Sequence, residues 1–337
     1  MNRSSEPILE VVGLKTYFKV AAGQVKAVDG VSLALRPGET LGLVGETGSG
    51  KSTVARTILR LSEPTEGRIL FHGKEVQGAS GRQLQQVRRH IQMVFQDPFA
   101  SLDPRMCIGD IIAEPLVVHE HLRAGAAWHA ALNLLERVEL SAQQAVRYPH
   151  ELSGGQRQRV GIARALSLKP EVLIADEPVS ALDVSIQAQL INLLKDLQSE
   201  FGLTYLFISH DLGVVRYVSD RVAIMYLGRI VEEGSCESIF DSPRHPYTRA
   251  LISAIPIPDP KSEKQRVPQV LAGEIPSPLS PPSGCRFHTR CPVAIRPDCS
   301  VQDPEQVHIT PEHWAACILV RSELADVPKH AAAGPPN

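Results

Sequence analysis

From Ile8 to about Pro256 the chain alternates two textures. Short runs of consecutive apolar residues have the length of buried strands. Longer stretches return an apolar residue every three or four positions, the period of a helix with one buried face. Glu39-Thr-Leu-Gly-Leu-Val44 is a run of the first kind, entering a glycine-rich turn and then a helix-like run from Ser52 to Leu59. Val172–Ala175 and Thr204–Ser209 are two more short apolar strands. Between them Ile186, Leu190, Leu193, Leu194 and Leu197 share one helical face. Strands alternating with helices predict an α/β fold with a mostly parallel sheet covered on both faces. Ile8–Val12 and Val25–Leu35 read as strands of a small antiparallel sheet beside it, and residues 99–152 carry helical spacing, with Leu132, Leu135 and Val138 as examples, which predicts a helical insert.

After Ile255 the texture changes. Residues 256–282 are rich in proline and read as an extended linker. Residues 283–322 hold four of the six cysteines, Cys285, Cys291, Cys299 and Cys317, and residues 323–337 read as a flexible tail. The expected division is therefore a domain over 8–255 with its insert near 99–152, a linker, a small cysteine-bearing module and a tail.

Charge and hydropathy narrow the function classes. A formal net charge of −2 leaves no overall footprint for nucleic acid or anionic lipid. Met1–Pro7 has no apolar core of a secretory signal. The most apolar region, Tyr205–Ile230, is broken by His210, Asp211, Arg216, Asp220, Arg221 and Arg229, too many polar residues for a membrane helix. The expectation is a soluble, cytoplasmic chain whose link to any membrane runs through a partner.

Gly45, Glu46, Thr47, Gly48, Ser49, Gly50, Lys51 and Ser52 spell the phosphate loop G-x-x-x-x-G-K-[ST], between a strand and a helix, with Thr53 next in the helix. Glycines let backbone N–H groups converge on phosphate oxygens, and the helix N-terminus adds positive potential. Lys51 is expected on the outer phosphates and Ser52 on Mg²⁺. Val172-Leu-Ile-Ala-Asp176-Glu177 delivers two acids at a strand's C-terminal edge, where ligands bind in such sheets. Asp176 suits Mg²⁺, and Glu177 suits the general base that polarises the attacking water. Together these motifs predict a nucleoside triphosphatase.

Leu152, Ser153, Gly154, Gly155 and Gln156 follow, at the head of a helix expected over Arg157–Leu168. This Leu-Ser-Gly-Gly-Gln string resembles the signature of the ABC ATPase family. The resemblance implies a P-loop ABC-type fold, in which the signature of one subunit completes the ATP site of another across a head-to-tail dimer. It also implies that Gln96 is the Q-loop glutamine, contacting Mg²⁺ and the insert, and that Ser180, Ala181, Leu182 and Asp183 form the D-loop. His210 matches the switch histidine on the terminal phosphate, and Tyr17 or Phe18 the aromatic that stacks on adenine, though either could be core.

Three further strings resemble the ATPase subunits of bacterial oligopeptide and dipeptide importers: Gln92–Arg105 through the Q-loop, Ser242–Leu251, and Gly284-Cys-Arg-Phe-His-Thr-Arg-Cys-Pro292. The spelling of Gly38–Val44 with Pro115-Leu116 leans towards the second, F-type ATPase of these systems. That implies a second ATPase (a paralogue or another copy), two integral-membrane permeases, an external solute-binding protein, and a peripheral site on the cytoplasmic face of the inner membrane. A permease helix is expected in the cleft between Gln96 and the insert, with Phe99, Leu102 and Met106 as candidate walls. An ABC ATPase acting on ribosomes fits less well because only one set of motifs is present, and one acting on DNA because the stretch from Lys51 to Leu152 is too short for the long coiled coil of that type. A catalytically dead binding module would lack Lys51, Glu177 or His210. The clustered cysteines are expected to hold a four-iron, four-sulfur cluster, since no pair is spaced as a zinc knuckle and four thiols in a cytoplasmic chain favour a metal over disulfides. Family resemblance agrees. Zinc, with His288, His308 or His313, and unligated cysteines remain alternatives. Distance along the chain from every ATP motif gives this module a structural or regulatory role.

Overall fold

The structure is a computed structural model that describes residues 6–255 and 271–325. An antiparallel sheet forms first. Strands β1 (Leu9–Val20) and β2 (Gly23–Leu35) make a hairpin, and after β3 (Thr40–Val44) and helix α1 (Lys51–Ile58), β4 (Glu66–Phe71) and β5 (Lys74–Glu75) complete the order β2-β1-β4-β5. The hairpin runs well past the expected Ile8–Val12. Its outer residues Phe18, Lys19 and Val20 are exposed and held by ladder pairing with Val25, Gln24 and Gly23, so hydrophobic pattern did not reveal them.

The central sheet adds β6 (Ile91–Val94), which follows α2 (Gly81–His90), then β7 (Val172–Asp176), β8 (Thr204–Ser209), β9 (Arg221–Tyr226) and β10 (Arg229–Ser235). Its inner strands run parallel in the order β9-β3-β8-β7-β6. Every residue of β3, β7 and β8 is buried, as expected of strands covered on both faces. Side chains alternate between two cores with the period of two that a strand imposes. Tyr205 and Phe207 of β8 join the core beneath the helical region, whereas Leu206 and Ile208 join the core beneath the antiparallel sheet.

The expected insert contains α3 (Pro98–Ser101), α4 (Ile108–Glu120), α5 (Ala124–Arg137) and two short 3₁₀ turns, Ala142–Val146 and Pro149–Glu151. Helices α4 and α5 cross closely at Gly109, where a Cβ would stand 2.3 Å from the Trp128 ring. Next come α6 (Gly154–Leu166), α7 (Val184–Phe201), α8 (Leu212–Val218), α9 (Cys236–Asp241) and α10 (Pro246–Ser253). The expected helix over Arg157–Leu168 thus begins earlier, at the signature glycines.

Beyond residue 255 the proline-rich stretch falls partly outside the described residues. Its described end crosses β2, where the Lys26 N–H donates to the Pro278 carbonyl at 3.1 Å. After α11 (Asp298–Val301), β11 (Gln306–Thr310) and β12 (His313–Ala316) join the central sheet, and α12 (Ile318–Ala325) follows. β12 pairs with β10, which places Trp314 in the second core and gives a mixed sheet of order β11-β12-β10-β9-β3-β8-β7-β6. The cysteine-bearing stretch therefore folds onto the cassette as part of its sheet. The expected tail from 326 onward lies outside the described residues.

Candidate functional site

At the C-terminal ends of the parallel strands, β3 delivers the phosphate loop. Two of its glycines are demanded by crowding: a Cβ at Gly45 would lie 2.1 Å from the Met225 carbonyl oxygen, and one at Gly50 2.1 Å from that of Ala27. Gly50 also has φ 106° and caps α1 without a side-chain bond. The first N–H groups of α1 are thus left to a ligand in the loop. Lys51 is buried, and its Nζ donates to the carbonyls of Gly45 (2.7 Å) and Glu46 (3.1 Å). Burial lowers the Lys51 pKa, against Glu177, Asp176 and Glu46, which raise it.

β7 places its two acids beside this loop. The Ser52 hydroxyl donates to Asp176 Oδ1 at 2.9 Å. Burial raises the Asp176 pKa, with the Ser52 bond opposing. An anion beside Lys51 and a cation beside Asp176 would offset both burial costs. Two hard oxygen donors facing each other suit Mg²⁺. The next residue, Glu177, turns at φ 47°, a conformation that costs a non-glycine residue about 1–3 kcal/mol and is concentrated at functional sites. Its buried carboxylate accepts from Gln96 Nε2 at 2.8 Å and lies 3.2 Å from His210 Nδ1. Three residues far apart in sequence, from the ends of β6, β7 and β8, meet on one oxygen.

The signature stands elsewhere. Ser153 caps α6 and accepts from the Gln156 N–H at 3.3 Å, while Gln156 Oε1 accepts from the Ser153 N–H at 3.0 Å. Leu152 is buried, and the signature glycines pack on the D-loop and α7. A Cβ at Gly154 would lie 3.4 Å from Leu182, and one at Gly155 2.6 Å from Ile186. Ser180, Ala181 and Asp183 are exposed; Asp183 caps α7, accepting from the Ile186 N–H at 3.0 Å. Of the two upstream aromatics, Tyr17 donates its hydroxyl to Asp29 whereas the Phe18 ring is exposed. Burial, with the Asp29 bond second, pushes the Tyr17 pKa up to about 12.

Sequence reasoning missed the groups that brace the phosphate loop. The Glu46 N–H donates to the Tyr247 hydroxyl at 3.0 Å, the Gly228 N–H donates to the Ser49 carbonyl at 2.8 Å, and Arg290 pairs with the Glu46 carboxylate. Tyr247 and Arg290 stand in two strings that carried the family resemblance, so the available signal was a string with no role attached to its members.

The four clustered cysteines are free thiols. The Cys285 N–H donates to the Cys299 carbonyl at 2.9 Å. Burial pushes the Cys285 thiol up to about 12, and Cys317, Cys299 and Cys291 all add to the rise. Among the described residues no group of three or more His, Cys, Asp or Glu is placed to hold a metal ion. His313 is committed elsewhere, its Nε2 2.8 Å from Glu232 Oε1 on β10, and His288 Nδ1 lies 2.8 Å from the Cys285 carbonyl. Among the described residues no helix is long and apolar enough to cross a membrane.

The profile of the ABC transporter family matches residues 28–180, and that of the oligopeptide/dipeptide transporter C-terminal region matches residues 231–299. The oligopeptide transport ATP-binding protein AppF of Bacillus subtilis is 55% identical over 324 residues, covering 94% of this chain and 98% of its own. The oligopeptide transport ATP-binding protein OppF of Escherichia coli is 52% identical, covering 88% of this chain and 92% of its own. Among solved structures, a dimeric ATP-binding cassette, MJ0796, in a post-hydrolysis state bound to ADP and Pi, superposes with a TM-score of 0.63 at 31% identity, over 68% of this chain and 98% of that one. With the loop, the paired acids and the signature in one such cassette, the chain belongs to the ABC transporter ATP-binding proteins of the oligopeptide and dipeptide transport family.

Proposed function

We propose that this chain is the ATP-hydrolysing subunit that energises import of di- or oligopeptides, or related small solutes, through an ABC transporter. The observation that carries the reading is the Glu177 carboxylate, which gathers Gln96 and His210 beside the Ser52–Asp176 pair. In the proposed cycle Gly45–Thr53 cradle the phosphates, Lys51 turns from its loop carbonyls to the outer phosphates, and Tyr17 or Phe18 stacks on adenine. Ser52, Asp176 and Gln96 would hold Mg²⁺, which neutralises phosphate charge when bound. Glu177 takes the proton of the attacking water, while His210 orients it and the terminal phosphate.

Residues 152–156, with the D-loop 180–183, are proposed to complete the ATP site of a second ATPase, a paralogue or another copy. Their support is a capped helix N-terminus, a ready anion site. Two membrane permeases would dock on the insert, holding the chain peripherally on the cytoplasmic face of the inner membrane, with a solute-binding protein outside and no nucleic acid involved. A cleft of about 380 Å³ between β6, α4 and α6, lined by Phe95, Leu102, Glu114 and Arg164 among others, supports that docking site. Residues 8–255 are then the motor, and the cysteine-bearing stretch is proposed to hold a [4Fe-4S] cluster through Cys285, Cys291, Cys299 and Cys317. Support for the cluster is that Cys285 and Cys299 are held together by a backbone hydrogen bond of 2.9 Å and that all four thiols are free of disulfides, although among the described residues no three of them are placed to hold a single ion. A cluster is larger than one ion and needs its ligands further apart than a single-metal site does.

The Glu177→Gln variant tests the assignment of the base. It should bind ATP normally, lose turnover by about 100-fold or more, and accumulate as an ATP-bound dimer by light scattering. Hydrolysis at near wild-type rate would overturn it.

A further inference from the structure

Glu46, the second residue of the phosphate loop, is held by a residue from the cysteine-bearing stretch. Arg290 Nη1 donates to Glu46 Oε2 at 2.8 Å, and Nη2 to Oε1 at 3.1 Å. The Arg290 side chain is 7% exposed and that of Glu46 27%. The guanidinium lies 5.9 Å from the centre of the Tyr226 ring, within an aromatic group formed by Tyr226, Tyr247 and Phe287. A two-pronged arginine–carboxylate pair fixes orientation as well as distance, and a lysine cannot reproduce the fork. Partial burial also spares this pair most of the screening that makes surface pairs weak.

The carboxylate itself calls for explanation. A phosphate loop draws in a triphosphate, and a bare negative charge on its second residue opposes that. Arg290 cancels the charge locally and ties the start of the loop to the body of the protein, next to the Glu46 N–H bond to Tyr247. The same stretch makes a second contact with the body of the protein through Arg286. That guanidinium donates to the Leu227 carbonyl and to Asp29, the acceptor of the Tyr17 hydroxyl.

We propose that Arg290 is a positioning residue for ATP binding, neutralising and anchoring Glu46 so that the phosphate loop is set for the triphosphate. This rests on reading residues 45–52 as the ATP site. It acts through Glu46 and has no part in the proton transfer assigned to Glu177.

The experiment compares ATP affinity, by equilibrium binding of a fluorescent ATP analogue and by the KM of the full-length chain, across a small set of variants. Arg290→Gln should weaken ATP binding by about tenfold, with kcat nearly unchanged. Adding Glu46→Gln should restore most of the affinity, because the unpaired carboxylate is then gone. A merely structural contact would not be rescued this way. Should Arg290→Gln unfold the protein, Arg290→Lys carries the test: it keeps the charge, loses the fork, and should weaken binding by about threefold, again recovered by Glu46→Gln. Unchanged affinity in the Arg290 variants, or a loss that Glu46→Gln leaves in place, overturns the proposal. Lys51→Ala separates the two readings. If it abolishes ATP binding while Arg290→Gln has no effect, only the role of Arg290 fails; if it binds ATP normally, the ATP-site reading itself fails.

Discussion

His245 precedes α10 with its ring enclosed, 5.7 Å from the Phe287 ring, and its Nδ1 accepts the Tyr247 N–H at 3.1 Å. Burial lowers its pKa from 6.5 to about 4, against Glu232 of β10, which raises it; Arg249 on α10 lowers it slightly further. The Glu232 carboxylate also accepts the backbone N–H groups of Arg244 and His245, and meets His313 of β12. In the folded protein this imidazole stays neutral where the unfolded chain would protonate it. Its contribution to stability is therefore full above pH 6.5 and is lost as the pH falls towards 4, by about 3 kcal/mol in all. Urea unfolding across that window should show stability falling with acidity, and His245→Asn should flatten the fall between pH 6.5 and 5. An equal slope in the variant would move the effect to another group. Two residues on, the Tyr247 hydroxyl receives the Glu46 N–H of the phosphate loop. Residues that shape this site are thus not confined to the motifs that announce it.

At the scale of elements, the short helix α3 and the turn after it separate two kinds of candidate for permease contact. Leu102 is 3% exposed and belongs to the main core, so its truncation would cost about 2–5 kcal/mol of stability and report on folding. Phe99 is 54% exposed, with the Arg157 guanidinium 5.3 Å from its ring centre. Met106 is partly buried against the core and lines an adjoining cleft with Ile111 and Glu114. Phe99→Ala should therefore leave folding and ATP hydrolysis close to wild type while reducing solute uptake by the assembled transporter several-fold. Uptake unchanged in that variant would place the permease contact elsewhere. The same helical spacing that identified the insert could not make this distinction, because α3 is too short for periodicity to separate an outward from an inward face.

On the scale of the whole molecule, the cysteine-bearing stretch is joined to the motor at several places, among them the β10–β12 pairing, the Arg290–Glu46 pair, the Arg286–Asp29 pair and the His313–Glu232 pair. A cluster held by the four cysteines would therefore be rigidly linked to the phosphate loop. Anaerobically purified protein should be brown, with about four iron and about four acid-labile sulfide per chain. Colourless protein carrying stoichiometric zinc and no sulfide would end the cluster proposal. Given the joint through Arg290, loss of iron should also weaken ATP binding, read in the same binding assay.

Most of the motor was legible in the sequence because its chemistry is local. A phosphate loop, an apolar strand ending in two acids and a capped signature helix each lie in one continuous run, and their spacing carries the order of the fold. Resemblance singled out Gln96 and His210, but their meeting at Glu177 was not legible, since they reach it from the ends of separate strands. The place of the C-terminal stretch was not legible at all. Distance along the chain suggested separation from the ATP site, whereas the β9–β10 turn and the C-terminal strands fold back onto the sheet and bring residues 286 and 290 to it. Hydrophobic period reports which side of an element is buried, and motifs report chemistry within a run of residues. Which distant charge neutralises Glu46 depends on strand order and on how the chain returns to the sheet edge, and that was decided only by tertiary packing.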